Sequence, residues 1–127
     1  MLDDRKQKYP KVGVFLLVLS SGGKFLIDRR GKEKSFPFKE LAGGETWEKT
    51  VKSIICELKL NEKRYELVGI GSGLDFKGES LVYSAFKLEV AQERPIPGFE
   101  WQTVEKAQEL SLLSLESGLI DKDNASR

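Results

Sequence analysis

The residues best suited to chemistry lie in one short basic stretch. Between residues 24 and 39 stand six cations, Lys24, Arg29, Arg30, Lys32, Lys34 and Lys39, against only Asp28 and Glu33. A guanidinium pairs bidentately with phosphate oxygens and an ammonium meets them as a point charge, so this stretch suits a phosphate-contacting rim. It suits a solvated loop equally, because charge runs are often simply surface. Phe36, Phe38, Phe99 and Trp101 offer faces on which a base would stack, though aromatic residues are as a rule core-forming. The glycines at 69, 71 and 73 lack the G-x-G-x-x-G spacing and no helical pattern follows them. They predict a bent strand or a loop rather than a dinucleotide cradle.

What is missing narrows the chemistry further. The chain has no histidine, which removes Ser-His-Asp and Cys-His catalysis, histidine-ligated zinc and histidine pH switching. Its one cysteine, Cys56, allows no internal disulfide and no cysteine metal cluster, and nothing beside it in sequence would activate the thiol. Catalysis must therefore come from carboxylates, Lys, Tyr, Ser/Thr or a metal held by carboxylates. The formal charge of +1 argues against holding a nucleic-acid backbone by bulk charge, while a local patch stays open.

The elements that must position these residues follow from pattern. At 127 residues, 39% apolar and 32% charged, the chain is expected to form one globular domain. Residues 1–10 predict a flexible arm and 121–127 a polar tail. Val12 to Leu19 predicts a strand buried on both faces, and Ser20-Ser21-Gly22-Gly23 a turn into a returning strand, Lys24 to Asp28. Pro37 makes Ser35 to Phe38 extended or turned. Thr46 suits an N-cap with Glu48 in the first turn. Trp47, Val51, Ile54, Ile55 and Leu58 then form one apolar stripe of an amphipathic helix. Tyr65 to Ile70 and Leu81 to Val90 predict two more strands, and Phe99-Glu100-Trp101 a short extended piece. A short helix is expected after Thr103, and a last helical segment over Leu112 to Ile120. The eight-residue run from Val12 is too short to span a bilayer. No secretory signal is evident, so the expected setting is the cytoplasm, with no membrane partner.

The segment from Phe36 to Asn61 resembles the signature of the Nudix family, hydrolases of nucleoside diphosphates linked to another group. The family pattern is G-x5-E-x7-R-E-U-x-E-E-x-G-U, with U a bulky aliphatic residue. Pro37 takes the place of the leading proline, Glu45 of the first glutamate, Ile55 of the aliphatic and Glu57 of the first paired glutamate. Gly44-Glu45-Thr46 matches the opening of the family's helix. A hairpin before the box, an arginine ending its second strand (Arg29 or Arg30) and a late Glu-Trp before a helix also fit. The resemblance spans roughly residues 10 to 120 and implies a single-domain α/β fold, an α/β/α sandwich with a mixed β-sheet.

The same register shows a degenerate box. Lys39 stands for the family's glycine, Ser53 for its arginine, Ile54 and Leu58 for two glutamates, Leu60 for the late glycine and Asn61 for the final aliphatic. At 3.6 residues per turn, positions 54, 57 and 58 share one side of the helix. In the family that side presents three carboxylates that hold magnesium or manganese against a diphosphate. Here it is expected to be core, with Glu57 alone at its border, either as a remaining metal ligand or as a solvated residue near Lys49 or Lys59. Glu45 is expected to brace the loop before the helix.

The resemblance thus implies a diverged Nudix-type protein, binding a nucleotide, a diphosphate-bearing ligand or a macromolecular partner with little or no hydrolysis. Arg29, Arg30, Phe36 and Trp101 are the expected ligand contacts, and no cofactor is expected. The alternative is a magnesium- or manganese-dependent hydrolase using Glu57 and Glu45, with Glu57 as metal ligand and a further carboxylate from Glu40, Asp75, Glu79 or Glu100. A third is an interaction module for RNA or protein without a small ligand, or a homodimer.

Overall fold

A computed structural model describes residues 11–31, 34–62, 64–74 and 78–109. The expected arm, the segment 112–120 and the tail lie outside the described residues, as do Lys32, Glu33 and Asp75.

The sheet grows outward from β1 (Lys11–Ser20). From Val14 to Leu19 every side chain is buried, because successive residues point to opposite faces and both faces are covered. Phe15, Leu17 and Leu19 join one core, and Val14, Leu16 and Val18 the other. Along one side β1 pairs in parallel with β5 (Ser80–Val90), from Lys11 opposite Leu81 to Ser20 opposite Val90. Its other side is shared. β3 (Phe38–Glu40) takes Gly13 to Phe15, and β2 (Lys24–Asp28) takes Leu19, both antiparallel. β4 (Tyr65–Leu74) and β6 (Phe99–Thr103) complete one mixed six-stranded sheet, ordered β4-β5-β1-β2-β6 with β3 beside β1.

Two expectations left open by the sequence are decided here, each in favour of the strand. The segment around Pro37 leads into a true strand, β3, because Lys39 and its neighbours find a ladder on β1 that no local pattern announces. The glycine-rich run is not a loop between strands. β4 continues through it to Leu74, with the register slipping between Leu67 and Gly69, so the bend is a bulge. Gly71 has a packing reason, since a Cβ there would lie 2.6 Å from the Tyr83 hydroxyl.

The helix α1 (Trp47–Glu57) begins where expected: Thr46 is extended and its side chain accepts the Lys49 N–H at 3.1 Å. Val51, Ile54 and Ile55, with Leu58 just beyond, are buried against Val14, Leu16, Val18, Leu26 and Leu88. The helix ends in a Schellman turn, with Lys59 N–H bonded to Cys56 O and Leu60 N–H to Ile55 O. Lys59 carries the left-handed conformation at φ 57°, one residue before the position where the family pattern has glycine. On the opposite face, α2 (Val104–Glu109) brings Ala107 onto Phe25, Ile27 and Phe36. The sheet lies between helices on both faces, as the sequence implied. Among the described residues no helix is long and apolar enough to cross a membrane.

Candidate functional site

Beside the C-terminal half of α1 opens a cleft of about 410 Å³. Ile54 and Leu58, 4% and 6% exposed, line it from α1. Pro37 and Phe38 enter from the β3 approach, and Pro95, Ile96, Pro97 and Phe99 from the loop before β6. The charged members are Arg30, Glu57, Lys59 and Arg94. Three positions of the family's glutamates therefore border a cleft, but only Glu57 keeps the carboxylate, and Ile54 and Leu58 are apolar side chains of the core beneath.

Phe38 reaches this place because Gly13 has no side chain. A Cβ on Gly13 would lie 2.3 Å from the Phe38 ring. The ring packs on Phe15 with centroids 4.7 Å apart.

Arg30 is the best-held cation. Its Nε and Nη2 donate to the two carboxylate oxygens of Asp28 at 3.0 and 2.9 Å, and its guanidinium lies 4.7 Å from the Phe99 ring centroid. Gly98, at φ 85°, leaves room for the stem, since a Cβ there would meet Arg30 Cγ at 2.7 Å. The hydrogen bond to Asp28 raises the Arg30 pKa against the opposing effect of burial. The negative charges of Asp28 and Glu57 raise it further. The remaining N–H groups belong to a fork already fixed in plane, which is the arrangement that binds a planar or phosphate oxyanion with little ordering cost.

Glu57 is exposed, and its partner is neither Lys49 nor Lys59. Lys39 reaches it from β3, with Nζ 2.5 Å from Glu57 Oε2 and 2.9 Å from Ser53 Oγ. Glu45 braces the turn before α1: its Oε1 accepts from Ala42 N–H at 3.1 Å and from the Thr50 hydroxyl at 3.2 Å. The Ala42 N–H holds its carboxyl below the ordinary range, outweighing desolvation, with Thr50, Lys49 and Lys39 adding to the effect.

The other expected contacts are dispersed. Phe36 is wholly buried, edge-on to Phe25, which corrects the expectation that it meets a ligand: no open surface of its ring remains. Arg29 pairs with Glu100 at 3.6 Å and does not line the cleft. Trp101 is half-buried against the α1-side core, and its Nε1 donates to Arg94 O at 2.9 Å, so it holds the loop that carries Arg94 and Pro95. Arg94 also donates to the Lys59 carbonyl, tying that loop to the end of α1. The local excess of positive charge is answered from elsewhere in the fold. Lys24 faces Glu93, Lys34 faces Glu100 and Lys39 faces Glu57. Lys59, considered only as a neighbour of Glu57, and Arg94 were not expected at the cleft, since nothing in their local spacing ties either to it.

Of the carboxylates that were candidates to rebuild a metal site, Asp75 lies outside the described residues and the other three do not gather. Glu79 pairs with Lys11 at 2.8 Å, Glu100 is held by Lys34 and Gln102, and Glu40 is exposed at the end of β3. Among the described residues no three Asp, Glu or Cys gather where a metal ion would bind. The magnesium or manganese that the Nudix resemblance implies does not fit this donor set well, because a hard divalent cation takes several oxygen ligands and the cleft-lining face of α1 offers one carboxylate, Glu57, already paired with Lys39.

No protein-family model matches the sequence, and no curated protein matches it. Solved structures do. The chain is similar to the dihydroneopterin triphosphate pyrophosphohydrolase of E. coli, at 14% identity over 94% of this chain and 99% of that one, with a TM-score of 0.75. It is similar to the MutT protein from Methanosarcina mazei Go1, at 14% identity over 94% and 96%, with a TM-score of 0.74. A third is the NUDIX domain of Shewanella oneidensis NrtR complexed with ADP ribose, at 13% identity over 96% and 91%, with a TM-score of 0.74. The chain has the Nudix fold.

Proposed function

We propose that this protein binds a nucleotide or another diphosphate-bearing ligand in the cleft beside α1, with little or no hydrolysis. The observation that carries this reading is the pairing of a guanidinium held by Asp28, that of Arg30, with the Phe99 ring at the edge of the cleft. Lys59 and Arg94 add positive charge, while Phe38 and the Pro95–Pro97 segment supply surface for a base or sugar. The cleft thus combines apolar surface with charged groups able to fix the orientation of an anionic ligand. The NUDIX domain of Shewanella oneidensis NrtR, which shares the fold, was solved with ADP ribose, and this ligand class is carried over from it as part of the proposal.

Hydrolysis is not expected because the α1 face presents Ile54 and Leu58 where carboxylates would hold a metal. The test is calorimetry and thermal shift with ADP-ribose, ADP and a dinucleoside polyphosphate, each in magnesium and in EDTA, with turnover followed by chromatography. The expected result is saturable, salt-sensitive binding that EDTA leaves unchanged, product near background, and at least about tenfold weaker binding in Arg30→Ala. Metal-dependent release of a nucleoside monophosphate, lost in Glu57→Gln, would overturn it in favour of the hydrolase. A nucleotide panel that leaves the melting temperature unmoved would favour an interaction module.

A further inference from the structure

We infer that Lys39, held beside the cleft by the cleft-lining Glu57, is a tethered cation that replaces the divalent metal at the α1 face, so that a diphosphate at the Glu57 edge of the cleft is met by an ammonium. The second half of this inference rests on the ligand reading above.

The argument begins with where the departures from the Nudix pattern lie in space. Lys39 and Ser53 stand at the glycine and arginine positions of the box, fourteen residues apart in sequence, and they touch: Lys39 Nζ is 2.9 Å from Ser53 Oγ. The same ammonium is 2.5 Å from Glu57, one helical turn further along α1 and the one paired glutamate that the box retains. A short hydroxyl at 53 leaves room that an arginine would fill, and it also accepts a hydrogen bond from the ammonium. Lys39 is placed by the ladder that sets it opposite Val14, so its stem starts from a fixed point on β3.

Charge explains why the remaining glutamates are dispensable. A magnesium or manganese ion bound among phosphates takes its balancing charge from one or two carboxylates besides the phosphate oxygens. One ammonium and one carboxylate already balance each other, so further carboxylates at 54 and 58 would leave excess negative charge facing an anionic ligand. Ile54 and Leu58 avoid this and add buried apolar surface. The substitutions at 39, 53, 54 and 58 therefore form one consistent exchange of a diffusible cation for a covalently held one. An ammonium has three donors, and Ser53 and Glu57 engage two; Lys39 does not itself line the cleft and meets its edge through Glu57, which does.

The test uses inorganic pyrophosphate and Mn²⁺ with the full chain and the variants Lys39→Met, Lys39→Arg and Glu57→Gln, each first checked for an intact melting transition. Electron paramagnetic resonance should detect no Mn²⁺ bound to the unsubstituted protein at concentrations up to about 1 mM, the weak end of biological divalent-ion sites. Calorimetry should give the same pyrophosphate affinity in EDTA and in magnesium, a loss of about tenfold or more in Lys39→Met, and substantial retention in Lys39→Arg. Mn²⁺ that binds the unsubstituted protein and is lost in Glu57→Gln would overturn the replacement. Unchanged pyrophosphate affinity in Lys39→Met would overturn the ammonium's role toward the ligand. If the unsubstituted protein binds no pyrophosphate or nucleotide, the ligand reading falls by itself, and the Mn²⁺ measurement still decides the exchange of cations.

Discussion

The indole Nε1 of Trp101 donates to the backbone carbonyl of Arg94 at 2.9 Å, and this bond spans from the sheet to the loop that walls the cleft. Trp101 lies on β6 with its ring against the α1-side core, so a rigid element holds a segment with no ladder of its own. Trp101→Phe keeps a ring and removes the donor. It is expected to cost about 1 kcal/mol, a few degrees of melting temperature, and to speed amide exchange across residues 91–98. Unchanged exchange there would mean that the prolines alone hold the loop.

The α1 face provides a second prediction. Ile54 and Leu58 are 4% and 6% exposed and belong to the cluster with Val51, Leu26 and Leu88. Restoring the family's residues by Ile54→Glu or Leu58→Glu should therefore be destructive. Each removes apolar burial and places a carboxylate where it must lose its water or bind a proton. Urea denaturation should show a loss on the order of 3 kcal/mol for each, and the double variant should be poorly folded in metal-free buffer. A double variant that folds well and takes up magnesium would show that this side of the cleft is open enough to solvate carboxylates.

Lys59 is a third point of leverage. It holds φ 57° at the Schellman position, where an L-residue other than Asn or Gly is disfavoured by about 1–2 kcal/mol. Lys59→Gly should raise the melting temperature by several degrees while weakening binding of an anionic ligand, because the side chain lines the cleft. A rise in both quantities would remove Lys59 from the ligand's surroundings.

Acid should reveal two depressed carboxyls. Glu45 is lowered chiefly by the Ala42 N–H. For Glu100, burial acts to raise the pKa, but the hydrogen bonds from Gln102 and Lys34 and the charges of Lys34 and Arg29 outweigh it. Both lie below the ordinary value of 4.5, so the unfolded chain takes up protons more readily than the folded one. Their contribution is then present above the unfolded-state pKa and is lost as the pH falls through the folded-state values. Urea midpoints should hold from about pH 7 to pH 5 and decline below about 4.5, with a shallower decline in Glu100→Gln. An equally steep decline in that variant would place the acid sensitivity elsewhere.

How legible the site was depended on the range of each interaction. The α1 stripe, its Thr46 cap and the β1–β2 hairpin are written in periodicity and turn chemistry over a few residues, and all lie where the sequence put them. Three positions that the box register singles out, Ile54, Glu57 and Leu58, line the cleft. The partner of Glu57 was not legible, because Lys39 becomes its neighbour only when β3 joins β1, a ladder with no local pattern. Lys59 and Arg94 were not expected at the cleft for the same reason, and Phe36 was misjudged because an aromatic residue beside a proline gives no sign of which way it faces.

The parallel seam between β1 and β5 also governs how the molecule comes to exist. Each residue of that ladder meets a partner about 70 positions later in the chain, so a large loop must close before any of its hydrogen bonds can form. Hairpin and helix form early and locally, whereas the seam forms late, which places folding in the slower range set by high contact order, around milliseconds to seconds. Until then the apolar run from Val14 to Leu19 lacks the strand that will cover one of its edges. The segment that later makes the most buried strand is thus the one most exposed to wrong pairing during folding, and β1 rather than the cleft is where misassembly would start.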